Sequence, residues 1–341
     1  MRRVLVTGGL GFVGSRLCAQ LAERGHEVVC IDRLGASYSR GAGPDAARAL
    51  SATPRVRVVV ADLERLELDP LLAPGDVVVH LAALPGVRSG HQPEALWRHN
   101  VRLSGRVART AARRGARLVV ASSSSVYGDA ARQPTPETSP PRPLGAYGAS
   151  KLAAEAACLR AGGDVVIARL FTVFGPGQRP DMALARWIEA LRRGRPVDWH
   201  VHGGGARELT HVDDAARGLI AALERGQPGE AYNVGGCGTQ PMEYVLGLLE
   251  RELGRRARRA RRPTSPAEAV CTAACGVKSE RELGYRPRVG LLEGIRSQLA
   301  SVGALGAHAE GHPARGQAER AQVEGLDEHP VALEAGLLPA T

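Results

Sequence analysis

The sequence has no long hydrophobic run and no organised set of cysteines. None of its apolar stretches approaches the about 18 residues that a membrane-spanning helix requires. The short apolar run after the first three residues is soon interrupted by glycines, so it indicates a strand rather than a signal peptide. The six cysteines are scattered and match neither zinc spacing nor a compact disulfide framework. We therefore expect a cytoplasmic protein with reduced thiols and no membrane partner.

Lysine and aromatic residues are also scarce. Only Lys151 and Lys278 are lysines among the 45 basic residues, and aromatic residues make up 4% of the chain. The formal net charge of +10 therefore reflects arginine, which is densest at residues 255–262. Such a cluster can bind RNA or phosphates, and the alternative is a solvated helix face. Because no aromatic residue lies within the cluster to stack on bases, we expect no nucleic-acid partner.

Three glycines follow the first apolar run of the chain. Residues 4–6 predict a buried strand, glycines stand at positions 8, 11 and 14, and a helical pattern then begins. Gly8 permits a tight turn, Gly11 lets the backbone approach a pyrophosphate, and Gly14 lets the helix pack closely on the strand. This order is typical of a dinucleotide-binding unit. Its spacing, G-x-x-G-x-x-G, is also compatible with an ordinary β-turn-α unit.

Acidic residues end the next two apolar runs. Asp32 follows residues 28–31, and Asp62 follows a third run. A carboxylate in the position of Asp32 can accept a hydrogen bond from the 2′-hydroxyl of an adenosine ribose, which favours NAD over NADP. Asp62 is expected at the same edge of the sheet, near the adenine.

Strands and helices alternate through the first half of the chain. Continuous apolar runs indicate the strands of a parallel sheet that is covered on both faces, and apolar residues at helical spacing indicate helices. The predicted strands are residues 27–31, 56–61, 76–81, 117–121 and 165–170, and the predicted helices are residues 12–24, 93–114 and 146–159. Residues 35–55 give no clear prediction. The alternation predicts an α/β fold with a doubly wound parallel (Rossmann) sheet, which binds its ligand at the carboxyl edge of the strands.

The composition becomes richer in glycine and proline beyond residue 175. We expect residues 1–174 to be mainly the NAD-binding domain and residues 175–300 to be mainly a smaller C-terminal lobe for the substrate. A late apolar run at residues 231–234 is expected to return to the main sheet. Residues 301–341 lack clear periodicity and are expected to form a mobile tail.

Tyr147 and Lys151 form the most informative chemical pattern. Four residues apart on a helix, the two side chains lie on one face. An ammonium beside a phenol favours the phenolate, so Lys151 is expected to lower the Tyr147 pKa from its usual value of about 10. Tyr147 is then a candidate general base near neutral pH, and the alternative is a surface pair. Ser123, at the end of the fifth strand, can hydrogen-bond a substrate hydroxyl and relay its proton.

As a set, these motifs resemble the extended short-chain dehydrogenase/reductase family of nucleotide-sugar enzymes, the NAD-dependent epimerases and dehydratases. The resemblance extends over about residues 3–300. It rests on the glycine motif, Asp32, Asp62, residues 80–83, residues 122–128, Tyr147 with Lys151, and residues 169–176, 207–214 and 232–235. It implies a tightly held NAD, a sugar linked to UDP or dTDP as substrate, and a homodimer. It also implies that Ser123, Tyr147 and Lys151 are catalytic.

The resemblance further implies two sets of binding residues. The cofactor set is Gly8, Gly11, Phe12, Val13, Gly14, Asp32, Asp62, Leu63, Leu81, Ala82, Ala83, Asn100, Ser122, Tyr147 and Lys151. The substrate set is Arg88, Ser123, Ser124, Ser125, Tyr147, Thr172, Arg179, Met182 and Arg207.

The residues after Ser123 distinguish members of this family. The 4,6-dehydratases carry Asp-Glu directly before Val-Tyr-Gly and the decarboxylases generally carry Glu there, whereas this chain has Ser124 and Ser125. Without a carboxylic acid at these positions, elimination of water lacks its proton carrier, which argues for an epimerase.

Residues 85–88 and 175–183 are similar to stretches of UDP-glucuronate 4-epimerases. By this analogy Arg88, Thr172 and Arg179 are candidates for substrate contacts, and an arginine can pair with either a sugar carboxylate or the diphosphate. The chain also departs from the family. Glu208 replaces the usual Asp, and residues 266–277 differ from the family pattern, so the resemblance does not extend substrate binding to this segment. A helix is still expected at residues 278–283.

We therefore predict an NAD-dependent nucleotide-sugar 4-epimerase acting on UDP-glucuronate or a UDP-hexose. Tyr147 removes the C4 hydroxyl proton, the C4 hydride passes to NAD, and the 4-keto sugar takes the hydride back on its other face. One alternative is a dehydratase or decarboxylase with the same fold and cofactor. Another is a non-catalytic protein that binds NAD or RNA.

Overall fold

A computed structural model describes residues 1–34, 42–86, 90–200 and 205–304. The strands are β1 (Arg3–Thr7), β2 (Glu27–Asp32), β3 (Val56–Val60), β4 (Val77–His80), β5 (Arg117–Ser123), β6 (Val165–Leu170), β7 (Thr172–Phe174), β8 (Val197–His200), β9 (Ala206–His211), β10 (Ala231–Val234), β11 (Thr239–Pro241), β12 (Arg259–Arg262) and β13 (Cys271–Thr272). The helices are α1 (Phe12–Glu23), α2 (Ala42–Ser51), α3 (Pro93–Leu96), α4 (Leu103–Arg113), α5 (Ala146–Arg160), α6 (Ala183–Arg192), α7 (Val212–Arg225), α8 (Met242–Leu253), α9 (Val277–Leu283) and α10 (Leu291–Ser301).

Seven parallel strands form the main sheet in the order β3-β2-β1-β4-β5-β6-β10. Thr7 of β1 pairs with Ile31 on one side and with His80 on the other. The chain winds outward in one direction from β1 and in the other from β4, so a ligand crevice opens between these two strands. The predicted doubly wound α/β fold is confirmed, and residues 231–234 return to the sheet as expected.

Alternate residues of β1 serve the two faces of this sheet. Val4 and Val6 belong to the buried cluster that includes Leu17 of α1, whereas Leu5 belongs to the cluster that includes Val107 of α4. Successive side chains of a strand point to opposite faces, and here helices cover both of them. This is why Val4, Leu5 and Val6 are all apolar, rather than only every second residue.

Smaller sheets and three helices form a second layer. β9 pairs with β7, β11 and β13, and β8 pairs with β12. α6, α8 and α10 contribute to a separate buried cluster, which includes Leu184, Trp187, Val245, Leu249 and Ile295. α7 instead packs against α1 of the main layer. Residues after 175 therefore contribute to both layers.

The helix predicted at residues 93–114 is not continuous. A π-helical segment, Trp97–Arg102, separates α3 from α4. Such a segment adds a residue to one turn and often marks a functional site. Two 3₁₀ turns, Asp69–Leu71 and Ser124–Val126, complete the helical elements of the described chain. α2 lies in the region that gave no clear prediction.

The arginine cluster is not a helix face, so that expectation is wrong. Its second half is β12, which pairs in parallel with β8. Arg262 Nε donates to Asp198 Oδ1 at 2.8 Å, and Arg255 Nη1 donates to the last carbonyl oxygens of α6 at 3.1 and 2.7 Å. Pairing with a distant strand overrides the local helical pattern. Several arginines of the cluster hydrogen-bond other elements of the second layer and stabilise it.

The predicted tail stays a prediction, since residues 305–341 lie outside the described residues. Within the described ranges, no helix combines the length and the apolar character needed to cross a membrane.

Candidate active site

Two cavities open at the carboxyl ends of the main-sheet strands. The first brings together every predicted cofactor residue except one, namely Gly8, Gly11, Phe12, Val13, Gly14, Asp32, Asp62, Leu63, Leu81, Ala82, Ala83, Ser122, Tyr147 and Lys151. It also includes Arg33, Leu84, Pro85, His99 and Arg179, which were not predicted as cofactor contacts. Arg33 follows Asp32 in the sequence, and Leu84 and Pro85 follow residues 80–83. This adjacency is a signal that could have indicated these three residues.

The first cavity contains a cradle of backbone groups at the start of α1. A Cβ atom added to Gly8 would lie 2.7 Å from the Ala82 nitrogen. A Cβ atom added to Gly14 would lie 2.2 Å from the Gly8 carbonyl oxygen. Gly11 is the N-cap of α1 and has no side chain to occupy the first amides of the helix. Free amides at a helix N-terminus attract phosphate. The cradle therefore fits the diphosphate of a dinucleotide.

Asp32 is buried at the end of β2. Its Oδ2 accepts from the Leu10 nitrogen at 3.0 Å, and its Oδ1 accepts from the Arg33 nitrogen at 2.7 Å. These bonds fix the carboxylate at the end of β2, the place from which an acidic residue accepts from ribose hydroxyls. Arg33 Nη1 lies 3.8 Å from Asp62 Oδ2. A guanidinium near this place can hold the 2′-phosphate of NADP, but here it is paired with a carboxylate, and Asp32 favours the unphosphorylated ribose of NAD.

Lys151 is held at the end of β5. Its side chain is almost fully buried, and its Nζ donates to the carbonyl oxygen of Ala121 at 2.5 Å. Burial lowers the pKa of Lys151 to about 8, although the Glu155 carboxylate one turn further along α5 raises it. The ammonium therefore lies inside the first cavity and loses its proton more easily than an exposed lysine.

The expected lowering of the Tyr147 pKa by Lys151 is wrong for this structure. Burial raises the pKa of Tyr147, and the influences that lower it are the charge of Arg179 and a hydrogen bond with Ser123. The Lys151 ammonium is directed to the Ala121 carbonyl instead. Helical spacing shows which side chains share a face, but it does not show where the end of a long side chain finds its partner.

Ser123 lies between the two cavities. Its neighbour Ser122 lines the first cavity, and Ser124 and Ser125 line the second. Ser123 Oγ donates to Ser125 Oγ and accepts from the Ser125 nitrogen, both at 3.1 Å. Because the Ser123 side chain also lowers the pKa of the Tyr147 phenol, its hydroxyl is placed to pass a proton between the phenol and a ligand in the second cavity.

Asn100 is the one predicted cofactor residue that does not line the first cavity, and its role toward the cofactor stays a prediction. Its side chain accepts from the Leu84 nitrogen at 2.7 Å and donates to the Leu84 carbonyl oxygen at 3.1 Å. It also donates to Ser150 Oγ at 3.0 Å. The π-helical segment brings Asn100 to these partners. Asn100 thereby links the segment after β4 to α5, and it supports Leu84 in the wall of the first cavity.

A buried polar network explains part of the family resemblance. Ser122 Oγ donates to Glu155, and Arg169 Nε and Nη2 donate to the two Glu155 oxygens at 3.0 and 2.8 Å. Arg169 Nη1 donates to the Tyr127 hydroxyl at 2.9 Å, which donates to Asn233 Oδ1 at 2.8 Å. Because the charges are paired and hydrogen-bonded, the network can remain buried while it ties α5, β6 and β10 together.

The second cavity brings together most of the predicted substrate residues. These are Ser124, Ser125, Thr172, Arg179, Met182 and Arg207. Tyr147 lines the first cavity, and Arg179 lines both. Arg88 lies outside the described residues. The two cavities therefore meet at Arg179.

An aromatic wall of the second cavity was not predicted. Trp187 of α6 and Trp199 of β8 stack with ring centroids 5.6 Å apart, and Met242 lies in the same lining. Arg259 of the arginine cluster lies over Trp199, with its guanidinium carbon 4.7 Å from the ring centroid. Two of the three tryptophans of the chain lie here. Their scarcity is a signal that could have indicated this wall, which offers a flat apolar surface to a ligand.

Of the two family departures, the segment 266–277 lines one wall of this cavity, whereas Glu208 does not reach it. Glu208 is buried, and its Oε1 accepts from the Gly236 and Gly238 nitrogens at 2.9 and 3.2 Å. Arg207 Nη1 donates to the Val270 carbonyl oxygen at 2.8 Å. Val270 and Thr272 line the cavity. The segment therefore shapes the cavity although its sequence departs from the pattern.

The parallel sheet, the backbone cradle and the Tyr147–Lys151 pair define a dinucleotide-binding α/β protein with a site for a second ligand. The chain belongs to the NAD dependent epimerase/dehydratase family, whose model matches residues 4–235. This match confirms the family resemblance and is consistent with NAD as the predicted cofactor.

Similar proteins carry out several reactions. The chain is 33% identical over 314 residues to an uncharacterised UDP-glucose epimerase, YtcB, of Bacillus subtilis. The match covers 89% of this chain and 98% of the relative. It is 32% identical to a dTDP-glucose 4,6-dehydratase of Streptomyces griseus, over 87% of this chain and 93% of the relative. A crystal structure of UDP-glucuronic acid 4-epimerase from Bacillus cereus with UDP-glucuronic acid and NAD matches with a TM-score of 0.85 at 31% identity, covering 89% of this chain and 100% of that one.

Proposed function

We propose that this chain is an NAD-dependent UDP-glucuronate 4-epimerase. The observation that carries the proposal is the position of Arg179, which lines both cavities and acts on the Tyr147 phenol. A guanidinium at this point can pair with the C5 carboxylate of a uronate. The hydroxyls of Ser124 and Ser125 line the adjoining wall in place of the acids of dehydratases and decarboxylases.

Tyr147 and Ser123 handle the proton in this proposal. Tyr147 as phenolate accepts the proton of the C4 hydroxyl, and Ser123 bridges the phenol and the sugar oxygen. When bound, NAD supplies the hydride acceptor at C4 and the donor that reduces the 4-keto sugar on its other face. Lys151 keeps its ammonium inside the NAD cavity, bonded to the Ala121 carbonyl oxygen. Tyr147 then returns the proton to the inverted C4 oxygen.

The two parts of the chain divide the ligands between them. We infer that residues 1–174 mainly bind NAD, through the glycine cradle and Asp32, and that residues 175–300 mainly bind the nucleotide sugar. Arg179 is the one residue after 174 in the first cavity, within the described chain. Six described residues before 175 line the second cavity, namely Gly86, Ser124, Ser125, Gly128, Leu144 and Thr172. The stacked tryptophans are a surface on which the uracil or an adjoining part of the nucleotide can rest.

We also propose a cytoplasmic homodimer. Trp97 and Leu159 are 50% and 41% exposed on helical elements that pack beside each other. Large apolar side chains on such a surface favour contact with a second copy. All six cysteines are free thiols, in agreement with a reducing compartment. Light scattering should give twice the chain mass of 35.9 kDa, and a mass equal to one chain would contradict the dimer.

The test of the activity is incubation with UDP-glucuronate, followed by chromatographic separation of nucleotide sugars. We expect a mixture with UDP-galacturonate without added NAD, because the cofactor is retained and regenerated. Unchanged UDP-glucuronate in the presence of added NAD would exclude it as substrate. A keto sugar or released CO₂ would instead indicate a dehydratase or a decarboxylase.

A further inference from the structure

Arg179 and Asp181 form an ion pair at the boundary between the two cavities. Arg179 Nε and Nη2 donate to the two Asp181 oxygens, each at 2.9 Å. The Arg179 side chain is 18% exposed and that of Asp181 is 46% exposed. Both side chains line the second cavity, and the Asp181 carboxylate is the more exposed of the two. A two-point contact of this kind fixes the orientation of a guanidinium as well as its position.

We propose that Asp181 is a positioning residue, which holds the Arg179 guanidinium at the boundary of the two cavities so that Arg179 supplies positive charge to the Tyr147 phenol. This role of Asp181 rests on the proposed epimerase function only where the identity of the sugar is concerned. The positioning itself concerns residues of the chain and can be measured without a substrate.

The charged and titratable groups around Tyr147 come from several elements of the described chain. Lys151 lies on the same helix, but its ammonium is bonded to a backbone carbonyl. His80 of β4 has a pKa of about 3, because it is buried and lies near Lys151, so it is neutral. Glu155, further along α5, is paired with Arg169.

Among the described residues, Arg179 is therefore the cation that acts on the phenol. It comes from the loop between β7 and α6, and its charge lowers the pKa of Tyr147 against the effect of burial. The Arg179 guanidinium also lowers the pKa of Asp181, so this carboxylate remains charged at neutral pH. The Nη1 atom of Arg179 makes no hydrogen bond to a described residue, which leaves it for an anionic group of the sugar while Asp181 holds the other edge.

The experiment is an ultraviolet titration of tyrosine ionisation in the full-length protein. Subtracting the titration of Tyr147→Phe isolates Tyr147 from the other tyrosines. We expect Arg179→Gln to raise the Tyr147 pKa by up to about one unit. Asp181→Asn should raise it too, by less, because the released arginine moves away from the phenol. Asp181→Glu should restore part of the shift, since it preserves the carboxylate.

The opposite sign would overturn the proposal. If Asp181 only neutralises Arg179, its replacement by Asn leaves more positive charge near the phenol and lowers the Tyr147 pKa. An unchanged pKa would equally exclude positioning. The control is Asp69→Asn, which breaks another two-point pair, with Arg113 Nη2 at 3.0 and 2.8 Å from the Asp69 oxygens, away from both cavities. This control should leave the titration unchanged. If Asp181→Asn shifts the Tyr147 pKa as expected but the wild-type protein does not turn over UDP-glucuronate, only the uronate proposal is contradicted.

Discussion

The two cavities meet at Arg179 but are built from different materials. The dinucleotide cavity is made of strand ends and tight turns, and its phosphate cradle consists of backbone amides that need glycine. The second cavity is lined largely by side chains from many separate segments, namely Ser124 and Ser125, Thr172, residues 178–182, α6, β8, β9, Met242 and residues 264–272. A backbone site demands particular residues at fixed spacing, whereas a side-chain site can be assembled from any segments that the fold brings together. The first site can therefore be located from the sequence more completely than the second.

The largest expected effect tests the point where the two cavities meet. Tyr147→Phe removes the group that accepts the C4 proton but leaves the ring that lines the first cavity. We expect turnover of UDP-glucuronate to fall by about 10²–10⁴-fold, the usual contribution of a general base. Bound NAD, measured after denaturation of the purified protein, should be unchanged. Near-normal turnover would remove Tyr147 from its proposed role.

A second substitution tests the backbone cradle. A Cβ atom at position 14 would lie 2.2 Å from the Gly8 carbonyl oxygen. Gly14→Ala should therefore displace the cradle, abolish NAD retention and cost about 1–3 kcal/mol of the free energy of unfolding. Gly247→Ala is the matched control, because a Cβ atom there meets open space on α8. It should stabilise the protein by about 0.5–1 kcal/mol and leave NAD bound. Equal behaviour of the two variants would contradict a close-packed cradle.

A third substitution tests what the side chains of the second cavity recognise. Arg179→Gln should lower kcat/KM for UDP-glucuronate by about 10–100-fold, the usual cost of losing a charged hydrogen bond. The loss should be smaller for UDP-glucose, which lacks the carboxylate, if UDP-glucose is turned over at all. The relative rates can be measured in a mixture of both sugars. Equal losses would assign Arg179 to the diphosphate instead.

The burial of Lys151 predicts a pH dependence of stability. Its pKa in the folded protein is about 8, below the value of about 10.4 in an unfolded chain. Below about pH 8 both states carry the proton, and the folded state bears the cost of a buried charge. Between about pH 8 and 10 the unfolded chain binds more protons, so the free energy of unfolding should rise by up to about 1 kcal/mol per pH unit. Denaturant unfolding of the wild type and of Lys151→Met should differ in this slope.

The second lysine provides the control for that measurement. Lys278→Met removes a lysine that donates to Glu230 on the surface, with Nζ 2.6 Å from the carboxylate oxygen. It should keep the wild-type slope. If Lys151→Met keeps it as well, the stability change does not come from Lys151.

The smallest expected effect concerns the arginine cluster. Arg256 and Arg261 are exposed, and the Arg256 pair with Glu250 spans 3.3 Å. The double variant Arg256→Gln with Arg261→Gln should change the free energy of unfolding by less than about 0.5 kcal/mol and should leave turnover unchanged. Salt-sensitive RNA binding by the wild type that the variant loses would revive the nucleic-acid alternative.

Local sequence was most informative about the main sheet. The strands at residues 117–121 and 165–170 and the helix at residues 146–159 were predicted nearly to their ends, because apolar runs and helical periodicity come directly from burial on two faces. The π-helical segment was not predicted, since it depends on the hydrogen bonds of Asn100 with Leu84 and Ser150. β12 was not predicted either, since an arginine-rich strand forms only when β8 lies beside it.

The sequence alone determined the dinucleotide site, the Tyr147–Lys151 pair and the family, because glycine spacing and helical spacing are local properties of the chain. The tertiary structure decided which charge reaches the phenol. Lys151 is four residues from Tyr147 but donates to a backbone carbonyl, whereas Arg179, from a distant loop, lines the same cavity and lowers the Tyr147 pKa. The strength of a charge interaction depends on distance in space and on burial, and neither follows from separation along the chain.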